Sequence, residues 1–147
     1  MKLRSGISVC ALFAALVTPC WAHHMAVVVD KQNSVGNVTS AQLTKLFRAE
    51  TRKWPDGKSV LLVLHKNSPG EAETLKGLTR MSVGEWSRFL AAHKDSITIV
   101  ESDADVLKTV QSAPGSIGMV DVRSVDASIS VVRVDKKLPM ESGYLPH

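Results

Sequence analysis

The chain alternates between two hydrophobic patterns. Short runs of apolar, mostly β-branched residues predict five strands, at 26–30, 60–64, 97–100, 117–120 and 129–134. Between most of them, apolar residues recur at spacings of three and four, which predicts four amphipathic helices that begin near Thr39, Ser68, Ser82 and Ser102. The resulting order, β-α-β-α-α-β-α-β-β, indicates a single α/β domain whose sheet is covered by helices on both faces.

Each predicted helix has a face that we expect to be buried. In chain order these faces carry Leu43, Leu46 and Phe47; Ala72, Leu75 and Leu78; Trp86, Phe89 and Leu90; and Val106, Leu107 and Val110. A turn is expected at 54–57, and a short helical turn at 122–125. The polar end of the chain, 136–147, contains proline and glycine and is expected to lie on the surface.

The first 22 residues have the pattern of a secretory signal peptide. Lys2 and Arg4 precede an apolar run at 7–17, and small residues lead to a predicted cleavage after Ala22. We therefore expect a mature chain, 23–147, that is exported. Both cysteines, Cys10 and Cys20, lie in the part that is removed. This excludes disulfides, thiol catalysis and cysteine zinc sites in the mature chain.

Charge and motifs argue against several function classes. The whole chain carries a formal charge of +4, and without Lys2 and Arg4 the remaining 16 basic and 14 acidic residues leave about +2. With no basic block and 5% aromatic residues, nucleic-acid binding has no support. No mature segment is long and apolar enough to span a membrane. Gly57-Lys58-Ser59 resembles the end of a phosphate loop, but Arg52 stands where the loop needs glycine. We expect a binding protein without a cofactor, not an enzyme.

The stretch from His65 to Gly70 is the strongest candidate site. It leaves a predicted strand and enters a predicted helix N-terminus, where unpaired N–H groups and the helix dipole favour an anion. Ligands of α/β proteins bind in such crevices at the carboxyl ends of strands. Lys66 supplies charge, Ser68 a hydroxyl donor, and Gly70 close approach of the backbone. Alternatively, Ser68 and Glu71 only cap the helix, and Glu71 fills the place of an anion.

The predicted new N-terminus offers a separate hypothesis. His23, His24 and Met25 would present an amine, two imidazoles and a thioether, which are ligands that copper accepts. The simpler interpretation is a disordered leader next to the cleavage site.

Several segments together resemble the phosphate-binding proteins of ABC transporters. One is the helix 38–47, which ends in Leu46-Phe47 and leads to the Trp54-Pro55-Asp56-Gly57 turn and a strand. Others are the helix 102–110, followed by Pro114-Gly115-Ser116-Ile117-Gly118, and the late Pro139 to Gly143-Tyr144-Leu145-Pro146 segment. The similarity covers most of residues 26–146.

The resemblance implies a fold and a site. The fold would be a single-lobe, periplasmic-binding-protein-like (type II) α/β domain with a mixed sheet, because two lobes need about twice this length. The family's anion motif, Arg-x-x-x-Ser-Gly-Thr, falls on His65, Pro69, Gly70 and Glu71; the glycine is retained, and Ser68 lies one residue away. The implied oxyanion site therefore consists of His65, Lys66, Ser68 and Gly70.

Two functions remain open from the sequence. The first is a periplasmic protein that binds phosphate or a similar oxyanion noncovalently for uptake or sensing, with an ABC permease or a sensor as partner. The second is an interaction module of the same fold that has lost its ligand and contacts a periplasmic or membrane protein. The second hypothesis predicts a satisfied Ser68–Glu71 cap and an exposed apolar patch elsewhere.

Overall fold

A five-stranded mixed sheet forms the centre of the chain. The computed structural model describes residues 24–146. The strands, in chain order, are β1 (Met25–Val29), β2 (Asn37–Val38), β3 (Leu61–His65), β4 (Ile97–Val100), β5 (Ser116–Asp121), β6 (Ser130–Val131) and β7 (Arg133–Val134). The main sheet has the order β4-β3-β5-β1-β6, and β2 pairs with β7 in a separate two-stranded sheet. Neighbours β4, β3 and β5 are parallel, whereas β1 runs antiparallel to β5 and to β6.

Four helices connect the strands, and polar side chains begin each of them. They are α1 (Ser40–Phe47), α2 (Pro69–Thr79), α3 (Val83–Ala92) and α4 (Asp103–Ser112), with single 3-10 turns at Lys94–Ser96 and Val122–Ser124. The side chains of Thr39, Ser68, Ser82 and Ser102 accept the N–H of the third helical residue in α1 to α4 respectively. The four predicted helix starts are thereby confirmed.

Helices cover both faces of the sheet, as the sequence predicts. On one face, residues such as Val27, Leu62 and Met119 pack against helices α1, α2 and α3. On the other, Val28, Val63 and Val120 pack against α4. Because side chains alternate along a strand, each central strand contributes to both clusters. This explains why these strands are apolar runs without polar alternation.

The expected burial of three residues and the expected length of one strand were wrong. Ala72 is exposed on α2, and Trp86 and Leu90 are only half-buried, so Phe89 is the one buried residue of α3. The predicted strand 129–134 is two short strands, because the chain passes from β6, beside β1, to β7, beside β2. Trp86 and Leu90 still pack against the core, but from its margin.

The end of the chain is also less exposed than expected. Tyr144 and Leu145 are buried. The Tyr144 hydroxyl accepts the N–H of Val27 at 3.1 Å and donates to the carbonyl of Val132 at 2.5 Å. Burial raises the pKa of Tyr144 to about 12, so this donor keeps its proton across the ordinary pH range. One aromatic side chain therefore connects the polar tail to the interior strand β1.

Gly115 joins several elements at the edge of the sheet where β5 begins. Its N–H donates to the buried Asp30 carboxylate at 3.1 Å, and its carbonyl accepts the Trp54 indole N–H at 2.8 Å and the Leu61 N–H at 3.1 Å. Its φ is +85°, and a Cβ there would lie 2.3 Å from the carbonyl oxygen of Ser59. Only glycine fits this position without strain.

We expect Gly115→Ala to lower the free energy of unfolding by about 3 kcal/mol, because left-handed strain adds to the overlap with Ser59. Urea denaturation measures this change. The matched control is Gly36→Ala, since nothing lies within 4 Å of a Cβ there. It should change stability by less than about 0.5 kcal/mol. Similar losses in both variants would contradict this account of Gly115.

Candidate functional site

A pocket of about 470 Å³ opens where strands β3 and β5 separate. The two strands pair from Leu61–Ser116 to Val63–Gly118. Beyond that point both continue, but they no longer pair with each other. The N-termini of α2 and α4 flank the resulting gap. Its lining includes His65, Asn67, Ser68, Gly70, Asp103 and Arg123. It is thus a crevice at the carboxyl ends of parallel strands, where α/β folds hold ligands.

The Asp103 carboxylate bridges the gap between these strands. Its Oδ1 lies 2.9 Å from His65 Nδ1 at the end of β3. Its Oδ2 accepts the Asp121 N–H at the end of β5, at 3.0 Å, and the Ser124 hydroxyl at 2.8 Å. Asp103 is also the first residue of α4, where a negative charge interacts favourably with the helix dipole. Its position therefore fixes the floor of the pocket.

His65 is held at both ring nitrogens. While Nδ1 faces Asp103, Nε2 lies 3.1 Å from the carbonyl oxygen of Glu101. Both ring nitrogens have partners inside the protein. The ring is therefore oriented by the wall of the pocket, and it has no ring nitrogen left to donate to a ligand.

The N-terminus of α2 presents several donors to the pocket. Ser68 Oγ accepts the Glu71 N–H at 3.3 Å, which leaves its hydroxyl hydrogen to be donated elsewhere. Gly70 is the second helical residue, and its N–H has no acceptor inside the helix. Asn67 precedes the helix with a φ of 65° and lines the pocket. Capping and anion binding therefore use different atoms of Ser68.

The side chain of Glu71 turns away from the position that an anion would take. It is 1% exposed, and its Oε2 accepts the His65 N–H at 2.8 Å. Its Oε1 has no partner within the part of the chain that the structure describes. Burial raises the pKa of Glu71 to about 8, chiefly through loss of hydration. At neutral pH this carboxyl is mostly protonated, so it adds little negative charge beside the pocket.

Arg123 places a guanidinium at the rim of the pocket. It donates from Nε and from a terminal nitrogen to the two oxygens of Asp121, both at 2.9 Å. Its side chain is 67% exposed. A guanidinium presents its N–H donors in a planar fork whose geometry matches the oxygens of carboxylates and other oxyanions. This cation is the nearest equivalent in the pocket to the charge that the sequence assigned to Lys66.

The pocket contains three of the four residues that the sequence predicted. His65, Ser68 and Gly70 line it together, whereas Lys66 lines only an adjoining depression, which shares His65 and Ser68 with the pocket. Sequence reasoning missed Asn67, Asp103, Asp121, Arg123 and Ser124. The sequence could have indicated Asp103 and Asp121 by their positions, because each stands at the end of a predicted helix or strand.

The described residues contain no group of three or more histidine, cysteine, aspartate or glutamate side chains that could hold a metal. His23 lies outside them, so the copper hypothesis stays a prediction. The signal peptide and its cleavage site fall outside the described residues as well. No helix within 24–146 is long and apolar enough to cross a membrane.

Solved structures confirm the fold that the resemblance implied. An ABC-type phosphate transport receptor from Vibrio cholerae matches 80% of this chain with a TM-score of 0.66 and 22% identity, over 48% of its own length. A phosphate ABC transporter substrate-binding protein from Clostridium perfringens, with bound phosphate, matches 79% at a TM-score of 0.65 and 19% identity, over 46% of its length. PstS from Borrelia burgdorferi matches 80% of this chain with a TM-score of 0.66 and 16% identity, over 49% of its own length.

The chain thus has a single-lobe, periplasmic-binding-protein-like α/β fold. It spans about half the length of these solved proteins. No family model matches the sequence, and no curated protein matches it. The likeness is therefore one of fold, and it was recognisable in the sequence through short segments spread over most of the chain.

The buried Glu71 carboxyl predicts a pH-dependent stability. Its pKa in the folded chain, about 8, is above the ordinary value of 4.5, so the folded state binds this proton more tightly than the unfolded state. Stability should therefore fall as the pH rises from about 5 to about 8, by on the order of 1 kcal/mol per pH unit. Glu71→Gln keeps an acceptor for the His65 N–H and should remove this fall.

Urea denaturation at several pH values in this window measures the effect. Glu73→Gln is the matched control, because Glu73 is exposed on the same helix. It should keep the pH dependence of the parent. Parallel curves for the parent and Glu71→Gln would show that Glu71 does not titrate with a raised pKa.

Proposed function

We propose that this chain binds phosphate, or a similar oxyanion, noncovalently in the pocket between α2 and α4. The observation that carries the proposal is the convergence of a helix N-terminus, the Ser68 hydroxyl and the Arg123 guanidinium on one crevice. Backbone N–H groups at a helix N-terminus and a fork of guanidinium donors are the groups that oxyanions accept from.

Each donor has a separate role in this binding. The Gly70 N–H and the Ser68 hydroxyl donate to oxygens on one side of the anion. Arg123 supplies positive charge and donates from the rim. His65 and Asp103 link the ends of β3 and β5 and shape the side of the pocket that the anion would face. No bond of the anion is broken or formed.

The negative groups near the pocket are compatible with an anion. Glu71 is mostly neutral at neutral pH, as its raised pKa requires. The Asp121 carboxylate is held by Arg123, and Asp103 accepts hydrogen bonds from three donors. The Ser68–Glu71 cap is satisfied, but it leaves the Ser68 hydrogen available. The cap therefore does not by itself favour the interaction-module alternative.

The wider role follows from the proteins of similar fold. A chain that holds phosphate in a single open lobe would deliver it to an ABC permease or report it to a sensor, after export to the periplasm. The three solved neighbours described above include an ABC-type phosphate transport receptor and a phosphate-bound ABC transporter substrate-binding protein. Uptake or sensing of phosphate is therefore the role that we propose.

Calorimetric titration of the purified protein with inorganic phosphate at low ionic strength tests the proposal. We expect saturable 1:1 heat, weakened by about tenfold or more in Arg123→Ala. Ser68→Asp should abolish binding, because aspartate still caps α2 but places a carboxylate in the pocket. Titration with sulfate compares a second oxyanion at the same site.

Lys66→Ala is the matched control, because Lys66 is a neighbouring cation whose side chain lies outside the pocket. It should bind phosphate as the parent does. Circular dichroism of every variant checks that it is folded. Absence of saturable heat from the folded parent would exclude this function, and loss of binding in Lys66→Ala would move the site to the other side of α2.

A further inference from the structure

An apolar groove runs between α2 and α3, beside the oxyanion pocket. It consists of two depressions of about 320 and 440 Å³ that share Ala72, Leu75 and Trp86. Val83 lines one end, and Leu90 and Ile99 line the other. These six residues define the α2–α3 groove. Because the depressions share a wall, the groove is elongated and fits an elongated occupant better than a compact one.

The groove exposes apolar groups that ordinary packing would cover. Val83 is 87% exposed and Ile99 52% exposed; they are two of the four large hydrophobic side chains that are exposed among residues 24–146. Val83, Trp86 and Leu90 recur at positions i, i+3 and i+7 of α3, which is the spacing of a helix face that packs against another helix. Helix α2 lines one side of that face through Ala72 and Leu75, and Val83 remains exposed.

Trp86 is held ready for such a contact. Its ring stacks on Phe89, with centroids 5.2 Å apart and planes inclined by 20°, and Phe89 is buried. The ring orientation is therefore fixed before any partner arrives, which lowers the entropic cost of binding. Half-buried tryptophans in pockets are the type of residue that dominates binding energy at protein interfaces.

The charges around the groove identify the partner's chemistry. Lys66 and Lys76 line it, one in each depression, and neither forms an ion pair with another described residue. The carboxyl on its wall is Glu71, which is buried, and His65 at the far end already faces Asp103. The groove is therefore apolar at its base and positive at its rim.

We propose that the α2–α3 groove docks an acidic amphipathic helix of a protein partner. Carboxylates on the partner helix would lie near Lys66 and Lys76, while its apolar face meets Leu75, Trp86 and Leu90. A third helix in this position lies in the groove between two others, which is a common packing in proteins.

A bilayer surface fits the groove less well. The apolar atoms of Leu75 and Leu90 lie in depressions, and a membrane contacts protruding side chains. The groove meets the oxyanion pocket at His65, Asn67, Ser68 and Pro69, but its apolar residues and its two lysines lie outside that pocket. A result without phosphate binding therefore does not contradict docking of a helix. A result without peptide binding does not contradict phosphate binding.

The test uses synthetic peptides of about 18 residues, long enough to form helix on binding. The first has leucines at helical spacing on one face and glutamates beside them. The second replaces each glutamate with lysine. We expect the acidic peptide to bind the purified protein with a Kd below about 100 µM, and the basic peptide to bind at least about tenfold more weakly. Titration followed by Trp86 fluorescence and by NMR shift changes locates the contact.

Variants separate the groove from the rest of the surface. Val83→Asp should raise the Kd of the acidic peptide by about tenfold or more. The variant should remain folded, because an aspartate in the first turn of α3 interacts favourably with the helix dipole. Met140→Asp is the matched control, because Met140 is 64% exposed outside the groove, and it should bind as the parent does. The double variant Lys66→Ala, Lys76→Ala should bind the acidic and basic peptides with Kd values within about threefold of each other.

Three outcomes would overturn the proposal. The first is no saturable binding, or equal binding of the acidic and basic peptides to the parent. The second is self-association of the protein that Val83→Asp abolishes, measured by light scattering, because the occupant would then be a second copy. The third is binding to vesicles of anionic phospholipid that Val83→Asp abolishes while the peptide does not bind.

Discussion

The pocket depends on one carboxylate placed between two separating strands. Strands β3 and β5 pair for three residues and then part, which would leave their last N–H and side-chain groups without cross-strand partners. Asp103 reaches in from the first turn of α4 and accepts from His65, from the backbone of Asp121 and from Ser124. The gap is thereby kept open at one end and closed at the other, which is the geometry of a ligand crevice. Asp103 thus links the fold to the site.

Ser68 and Glu71, which the sequence suggests would exclude an anion, leave room for one in the structure. Ser68 and Glu71 would block an anion if both side chains pointed out of the helix N-terminus. Instead, Ser68 accepts with a lone pair, and Glu71 is buried against the N–H of His65. The cost of this arrangement is a buried carboxyl with one oxygen unpartnered, and its raised pKa reduces that cost by keeping a proton on the group. Glu71 is therefore a buried neutral group next to the N-terminus of α2.

The fold could be predicted because its determinants are local. Serine or threonine caps and periodic apolar residues mark all four helices within a few positions of their true starts, and apolar runs mark the buried strands. Burial was predicted less well for Trp86, Leu90 and Tyr144, because it depends on which elements lie at the sheet edge or next to the chain terminus. The site divides in the same way. His65, Ser68 and Gly70 are contiguous in sequence, whereas Asp103 and Arg123 join them only because β5 lies beside β3, a neighbour relation that no local pattern contains.

The arrangement of β1 has a consequence for how the chain acquires its structure during synthesis. The first strand of the described chain lies between β5 and β6, and the Tyr144 hydroxyl completes its hydrogen bonds. All three partners come from the last third of the sequence. A ribosome must therefore synthesise the chain through β5 before β1 can pair with it. Such non-local pairing slows folding, so the newly made chain spends a comparatively long period with β1 uncovered and open to chaperones.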